Sequence, residues 1–281
     1  MTTDIVDTEG RIIPFDLADP LSVAVGGRDR DVLETVERAV AEGRTLLAYQ
    51  PVLPAPRPDK PAFYEGLIRV LDESGRIIPA RDFMDRVEDR ETGRWIDVHA
   101  LEHGLDTLRR KPELRLSINL SAKTIDFPPW SEVLDRTLAQ DPTLGERLIL
   151  EITERTAILM PERVRHFMDR LQSRGIGFAI DDFGSGYTSL RYLKDLYFDI
   201  LKIDGSFVRG ISKNGDDRAV VASMVALAHH FDMVTVAEWV ETAEDAATLA
   251  TLGVDCLQGY HFGAPTIRPQ LLDCRRRVGA R

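Results

Sequence analysis

Eight short apolar runs, at 46–53, 62–70, 114–120, 148–152, 176–180, 200–203, 233–237 and 254–257, are the feature that most limits what this chain can become. Most are separated by amphipathic segments of helical length, at 95–108, 130–139, 161–171, 218–231 and 242–252. A further helix begins with Leu33, Val36 and Val40 ahead of the first run. Pro161 suits a first helical turn, Thr242 with Asp245 forms a capping pattern, and Gly175 and Gly253 stand where helices should stop. About eight strands alternating with helices predict a (β/α)8 barrel of the TIM type, with functional groups at the C-terminal mouths of the strands. Only the Pro-rich stretch 54–61 joins the first run to the second, which suits a hairpin better than a helical crossover. The first strand is therefore expected to run against the rest.

The chain's 281 residues, 43% of them hydrophobic, suffice for one large packed domain. We expect an N-terminal extension over 1–30, the barrel over 31–275 and a tail over 276–281. The pentapeptide Gly10-Arg-Ile-Ile-Pro14 recurs as Gly75-Arg-Ile-Ile-Pro79, too short an echo for a repeat architecture and read as a shared turn-and-strand habit. No apolar run reaches the roughly 18 residues of a membrane span, and the first residues lack a basic-then-apolar leader pattern, so a cytoplasmic protein without a membrane partner is expected. Cys256 and Cys274 have no zinc or redox spacing. A net charge of −10 argues against holding long nucleic acid by its backbone. The basic run Arg275-Arg-Arg277 reads as the last turn of a helix. A small anionic substrate is compatible with that charge if bound cations reverse it locally.

The polar residues that punctuate the apolar runs are Gln50, Glu65, Asn119, Glu151, Asp181 with Asp182, Lys202, Glu238 and Gln258, and a barrel would gather them on one rim. Glu65, Asn119, Glu151, Asp181, Asp182 and Glu238 are hard oxygen donors, suited to Mg²⁺ or Mn²⁺ rather than zinc. Two such ions about 3.5–4 Å apart can share a carboxylate and hold the attacking and departing oxygens of a phosphodiester. Asp181 is the natural bridge. Asp181 and Asp182 can serve one pocket only if the chain bends between them, and Gly184 and Gly186 follow at once. Lys202 stays protonated among so many acids, able to orient water or neutralise charge as the bond breaks; a buried salt bridge is the plainer alternative. Arg69 suits a bidentate phosphate contact or a surface ion pair. His99 and His103 have helical i, i+4 spacing but no third ligand nearby, and His229-His230 reads as a helix-dipole partner.

Assembled, these residues resemble the EAL family of cyclic di-GMP phosphodiesterases over roughly 31–275. The match follows the family's order through Tyr49-Gln-Pro51, Glu65-Gly-Leu67 with Arg69, Ser117-Ile-Asn-Leu-Ser121, Glu151-Ile-Thr-Glu154, Asp181-Asp-Phe-Gly-Ser-Gly-Tyr187, Lys202-Ile-Asp204, Ala237-Glu238 with Val240-Glu241-Thr242, and Gln258-Gly-Tyr260 with Phe262, Gly263 and Pro265. The resemblance implies a modified TIM barrel with its first strand reversed, and hydrolysis of cyclic di-GMP to linear pGpG with two Mg²⁺ or Mn²⁺ ions. It implies metal positions at Glu65, Asn119, Glu151, Asp181, Asp182 and Glu238, with Lys202, Glu238 and Asp182 in the catalytic group. Gln50, Arg69 and Gln258 match the substrate pocket. Glu154 matches the glutamate that steadies the segment 183–190, and a homodimer is implied as well. Gly66 replaces the family's alanine or valine, a loss of one small side chain. Trp239 stands where the family has glycine; with Glu238 turned into the mouth, strand alternation would send Trp239 towards the surrounding helices.

Two other readings compete: a silent module that binds cyclic di-GMP or a protein through the same face, and a barrel enzyme of enolase-like proton abstraction. The glycines after Asp182 and the lack of a second basic catalytic candidate weigh against the latter. With so short an extension, regulation is expected through dimerisation, through that extension or through a separate sensory or regulatory protein.

Overall fold

A computed structural model of the chain describes residues 5–6, 12–13, 32–186 and 190–268. Two short strands, β1 (Ile5–Val6) and β2 (Ile12–Ile13), pair antiparallel. Helix α1 (32–41) leads into β3 (Thr45–Pro54), which turns back as β4 (Phe63–Leu71) with a two-residue β5 (Ile77–Ile78) on its far end. Both copies of the pentapeptide echo thus contribute a two-residue antiparallel strand. Helices α2 (Met84–Val87) and α3 (Glu91–Arg110) precede β6 (Leu116–Asn119), and α4 (Pro128–Gln140) precedes β7 (Leu148–Thr153). Helices α5 (Glu154–Leu159) and α6 (Pro161–Gln172) follow, then β8 (Gly177–Phe183) and β9 (Ile200–Ile203). The rest is α7 (Gly205–Val208), α8 (Gly215–His230), β10 (Val234–Ala237), α9 (Ala243–Thr251) and β11 (Cys256–Leu257).

The sheet closes on itself. From β4 through β6, β7, β8, β9, β10 and β11 every pairing is parallel, while β3 is antiparallel to both neighbours, β4 and β11. The eight predicted strands and the reversed first strand are therefore present. Closure removes the open edges an ordinary sheet leaves. No helix among the described residues is long and apolar enough to cross a membrane. Cys256 is buried in β11, while Cys274, the basic run 275–277 and most of 1–30 lie outside the described residues.

Strand alternation divides the barrel into an outer and an inner set of side chains. Leu150, Ile152, Phe178, Ile180, Leu201 and Ile203 pack with Leu101, Leu105 and Val225 of the helices in the main core. Val52, Phe63, Ala179, Ile200, Val236 and Cys256, with Ile149 against them, form a separate apolar cluster. These are the inward residues of seven strands. One alternation further towards the mouth stand Gln50, Glu65, Asp181, Lys202, Glu238, Gln258 and Glu151, all buried. β3 supplies Gln50 two residues before Val52, because it runs the other way.

Gly66 lies on the outer face. A Cβ there would stand 3.2 Å from Leu47, 3.3 Å from Ile118 and 3.3 Å from the Ser117 carbonyl, so neighbours already fill the space a side chain would take. Gly66→Val is expected to destabilise the protein by about 1–3 kcal/mol through overpacking. Urea denaturation measures it, and an unchanged midpoint would show that the neighbours yield freely.

Candidate active site

Glu65, Glu151, Asp181 and Glu238 converge on one ammonium. Lys202 Nζ lies 2.5 Å from Glu151 Oε2, 2.8 Å from Glu238 Oε1, 3.0 Å from Asp181 Oδ1 and 3.7 Å from Glu65 Oε2. The lysine itself is wholly buried. Around it the amides complete a chain: Asn119 Nδ2 donates to Glu65 Oε1 at 3.0 Å, and Gln258 Nε2 donates to Glu65 Oε2 at 2.5 Å and to Gln50 Oε1 at 3.2 Å. Gln50 Nε2 donates to the Gly263 carbonyl at 3.1 Å. Above this floor opens a cleft of about 390 Å³ lined by Gln50, Glu65, Arg69, Asn119, Asp181, Asp182, Glu238 and Gln258. Of the residues singled out from the sequence, Glu151 and Lys202 lie just beneath that lining.

Glu154 stands apart, buried at the start of α5. Its Oε2 accepts the Gly184 N–H at 3.0 Å and its Oε1 accepts the Tyr192 hydroxyl at 3.2 Å, which ties down the chain just after the acid pair. Residues 187–189 of that segment lie outside the described residues. Asp204, just past β9, caps α7 through Ser206 N–H. His99 and His103 bracket the Thr45 hydroxyl at 3.4 and 3.0 Å, and His229 bonds Asp255 at 2.9 Å. Neither pair reaches the acids' cluster: among the described residues, the group of three that could share an ion is Asp181, Asp182 and Glu238, their oxygens within 4.8 Å of one another.

Two residues reach the mouth through left-handed backbone. Asp182 has φ +55° and follows Asp181, where the β8–β9 register also breaks, so the bend required for two adjacent acids is present. Trp239 has the same φ of +55° after Glu238. Strand alternation therefore fails at this point: Trp239 touches the short helix α7 and its cap, through Gly205 and Arg209, yet is 47% exposed and lines the cleft. Tyr260 and Glu241 line it too and were not marked by strand-end reasoning, since they lie three and four residues past the last apolar residue of their runs rather than next to it. Each non-glycine residue held at such a φ costs about 1–3 kcal/mol, which the surrounding structure must offset.

The charge balance is unequal, with four carboxylates facing one ammonium and a fifth, Asp182, beside Asp181 and Glu238. Burial pulls the Lys202 pKa down, but Asp181, Glu151, Glu238 and Glu65 more than reverse this, so it stays charged. Burial, then the charges of Glu65 and Asp181, push Glu151 up to about 8 against the pull of Lys202. Glu238 is raised well above the usual carboxylate range by burial and by Asp181 and Glu65. Asp182 rises to about 6 through burial and the charges of Asp181 and Asp204. Glu151 Oε1 and Gln258 Oε1 are buried without a hydrogen-bond donor, and Asp181 Oδ1 has only the Lys202 ammonium with no aligned donor. Buried acceptors left unpaired in an acid cluster fit a divalent cation with oxygen ligands.

Fold and site together define a TIM-type barrel with one reversed strand and an acidic mouth whose oxygen donors suit a divalent cation. The EAL domain family model matches residues 33–265, and the chain belongs to that family. It is 32% identical over 238 residues to the cyclic di-GMP phosphodiesterase PdeF of Escherichia coli K12, an alignment covering 83% of this chain and 32% of PdeF. To the cyclic di-GMP phosphodiesterase PdeB of Shewanella oneidensis it is 32% identical over 234 residues, covering 82% of this chain and 27% of PdeB. The chain thus spans about a third or less of the length of these relatives. The solved c-di-GMP complex of the PaMucR phosphodiesterase superposes with a TM-score of 0.74 at 30% identity, covering 84% of this chain and 97% of that one.

A carboxyl whose pKa rises on folding favours the folded state fully below its unfolded value, here 4.5 for Glu151, and loses that contribution as pH climbs through about 8. Protons and cations compete for the same oxygens. Mn²⁺ or Mg²⁺ is therefore expected to raise the melting temperature more at pH 8 than at pH 5, with about 2.7 kcal/mol of stabilisation at a hundredfold excess over Kd. Thermal melts at the two pH values check this; equal shifts, or none, would count against a cation site made of these acids.

Proposed function

We propose that this chain hydrolyses cyclic di-GMP to linear pGpG with two Mg²⁺ or Mn²⁺ ions. The observation that carries the proposal is the ring of Glu65, Glu151, Asp181 and Glu238 around buried Lys202, at the floor of a cleft that also presents Asn119, Asp182 and Arg69. Relatives named cyclic di-GMP phosphodiesterases support the substrate. Glu65, Asn119, Glu151, Asp181, Asp182 and Glu238 would hold the ions, which when bound supply Lewis acidity to the phosphodiester and to water. Lys202 keeps its proton and orients the attacking water or meets the charge that grows as the P–O bond breaks. Water adds to phosphorus, one ester oxygen leaves with a proton, and the ring opens to the linear dinucleotide. Arg69 sits on the same rim with one guanidinium nitrogen donating to the Leu67 and Ile68 carbonyls, at 3.4 and 3.0 Å, and the rest of its fork is open to a phosphate oxygen. Gln258 fixes the carboxylate of Glu65 and donates to Gln50 as well, and the two amides shape the pocket wall.

A second reading, binding without turnover, is favoured by one feature: the bulk of Trp239 next to Glu238 at the cleft. One assay separates the two. Purified protein is incubated with cyclic di-GMP and Mn²⁺ or Mg²⁺ while pGpG is followed. Hydrolysis by the parent and its loss in Glu65→Ala are expected; tight binding with no pGpG would support the silent module instead. In the same assay Lys202→Ala is expected to lose on the order of 10²–10³ in kcat while still binding the nucleotide. Equal rates for the variant and the parent would remove the role given to the lysine.

A further inference from the structure

Trp239 is held where it is by Gly205 and Arg209, which lie one helical turn apart on α7 and its C-terminal cap. A Cβ on Gly205 would stand 2.3 Å from its Cδ1 and 2.5 Å from its Cγ, so the indole lies directly on the backbone at the start of α7, a fit that only glycine allows. The Arg209 guanidinium sits over the ring, 4.2 Å from its centroid, and Arg209 Nε is 3.9 Å from Glu241, another residue of the cleft. The backbone beside it is equally fixed: Val240 N–H donates to Gln258 O at 2.9 Å, and Gly259 presses so closely on Val240 that no side chain would fit there. The ring is therefore rigid, rests on a strained φ, and leaves nearly half its residue surface open, 47%, at the rim of the cleft that holds the acids. A large apolar residue exposed and immobilised in this way, next to a site for a charged phosphate, has little to do for the fold.

The geometry points to Trp239 as a base-stacking, specificity-determining residue: its clamped indole forms a shelf on which one purine base of a cyclic dinucleotide rests while the phosphodiester lies over the acids. This deepens the proposed function and rests on it. Every nucleobase has a π-face, and an aromatic ring already fixed in position gives up little entropy on binding one. Arg209, stacked on the indole, holds the shelf still and adds positive charge near an anionic ligand. The shelf contributes to binding rather than to bond breaking, so it acts on Kd and KM.

The test measures cyclic di-GMP binding by calorimetry and by indole fluorescence in EDTA, where no turnover occurs, for the parent, Trp239→Phe and Trp239→Leu. Steady-state kinetics with Mn²⁺ follow. Stacking predicts quenching in the parent that disappears in both variants, Kd and KM weakened roughly 5- to 150-fold in Trp239→Leu, and partial recovery in Trp239→Phe, with kcat nearly constant. Circular dichroism identifies a variant that has failed to fold, and the quenching signal in the parent stands independently of that. Unchanged nucleotide Kd in Trp239→Leu overturns the shelf. So does a fall in kcat alone, the signature of a residue that merely steers Glu238. If the parent hydrolyses cyclic di-GMP while the variants bind as well as it does, the shelf fails and the proposed function stands. If the parent binds no cyclic di-GMP, both fail.

Discussion

Four acids crowd around one buried ammonium with a fifth, Asp182, beside them, and most of the chemistry of this molecule follows from that imbalance. Water is excluded from Lys202 and Glu151, so the charges there are screened only by one another. Such a cluster has two ways to settle: hold protons at pH values where free carboxylates have none, or take up cations. The raised pKa values of Glu151, Glu238 and Asp182 are the first way, and the unpaired acceptors of Glu151 and Gln258 suit the second. Lys202 alone cannot balance the site, because a single positive charge has to be shared among four carboxylates at once.

The barrel makes this arrangement possible by a single geometric rule. Along seven strands an inward apolar residue is followed, one alternation towards the mouth, by an inward polar one: Phe63 then Glu65, Ile149 then Glu151, Ala179 then Asp181, Ile200 then Lys202, Val236 then Glu238, Cys256 then Gln258, with Val52 and Gln50 in reverse order on β3. The apolar layer seals the interior below, so the charged layer faces solvent on one side only. Moving any of these strands by one residue would turn its polar mouth residue into the helix layer and bring an outer-face residue into the site. Register is therefore as much a functional constraint here as a structural one.

That rule explains why so much was legible in the sequence. Eight strands appeared as apolar runs, and the residues interrupting them were the ones the fold brings to the mouth, because a buried charge in an apolar run is costly unless something requires it. What escaped depends on contacts between distant segments. The six-residue helix α5 begins directly at the end of β7, between the apolar run at 148–152 and the helix expected at 161–171, and is too short to show a period of its own. Nothing local marks Tyr192 as a partner of Glu154, thirty-eight residues away. Asp97 is similar: from α3 it accepts Ser121 N–H at 3.0 Å and the Thr124 hydroxyl at 2.6 Å, fixing the turn after Asn119, and burial raises its pKa to about 6.

Trp239 shows where alternation stops being a guide. The rule that side chains point to opposite faces holds only while the backbone stays extended, and both rim acids are followed by a residue at φ +55°. At Asp182 the twist lets a second carboxylate join the first, which nothing but a bend could achieve. At Trp239 the same twist carries an indole, a side chain with no charge to contribute, to the corresponding place beside Glu238. Strain of this kind persists only where neighbouring contacts fix it, and here they are specific: Gly205 lets the ring lie against the α7 backbone, and Arg209, one turn on, stacks its guanidinium on the same indole. A glycine would make the same turn without strain, so what the indole adds at this position is the ring it presents to the cleft rather than the turn of the chain.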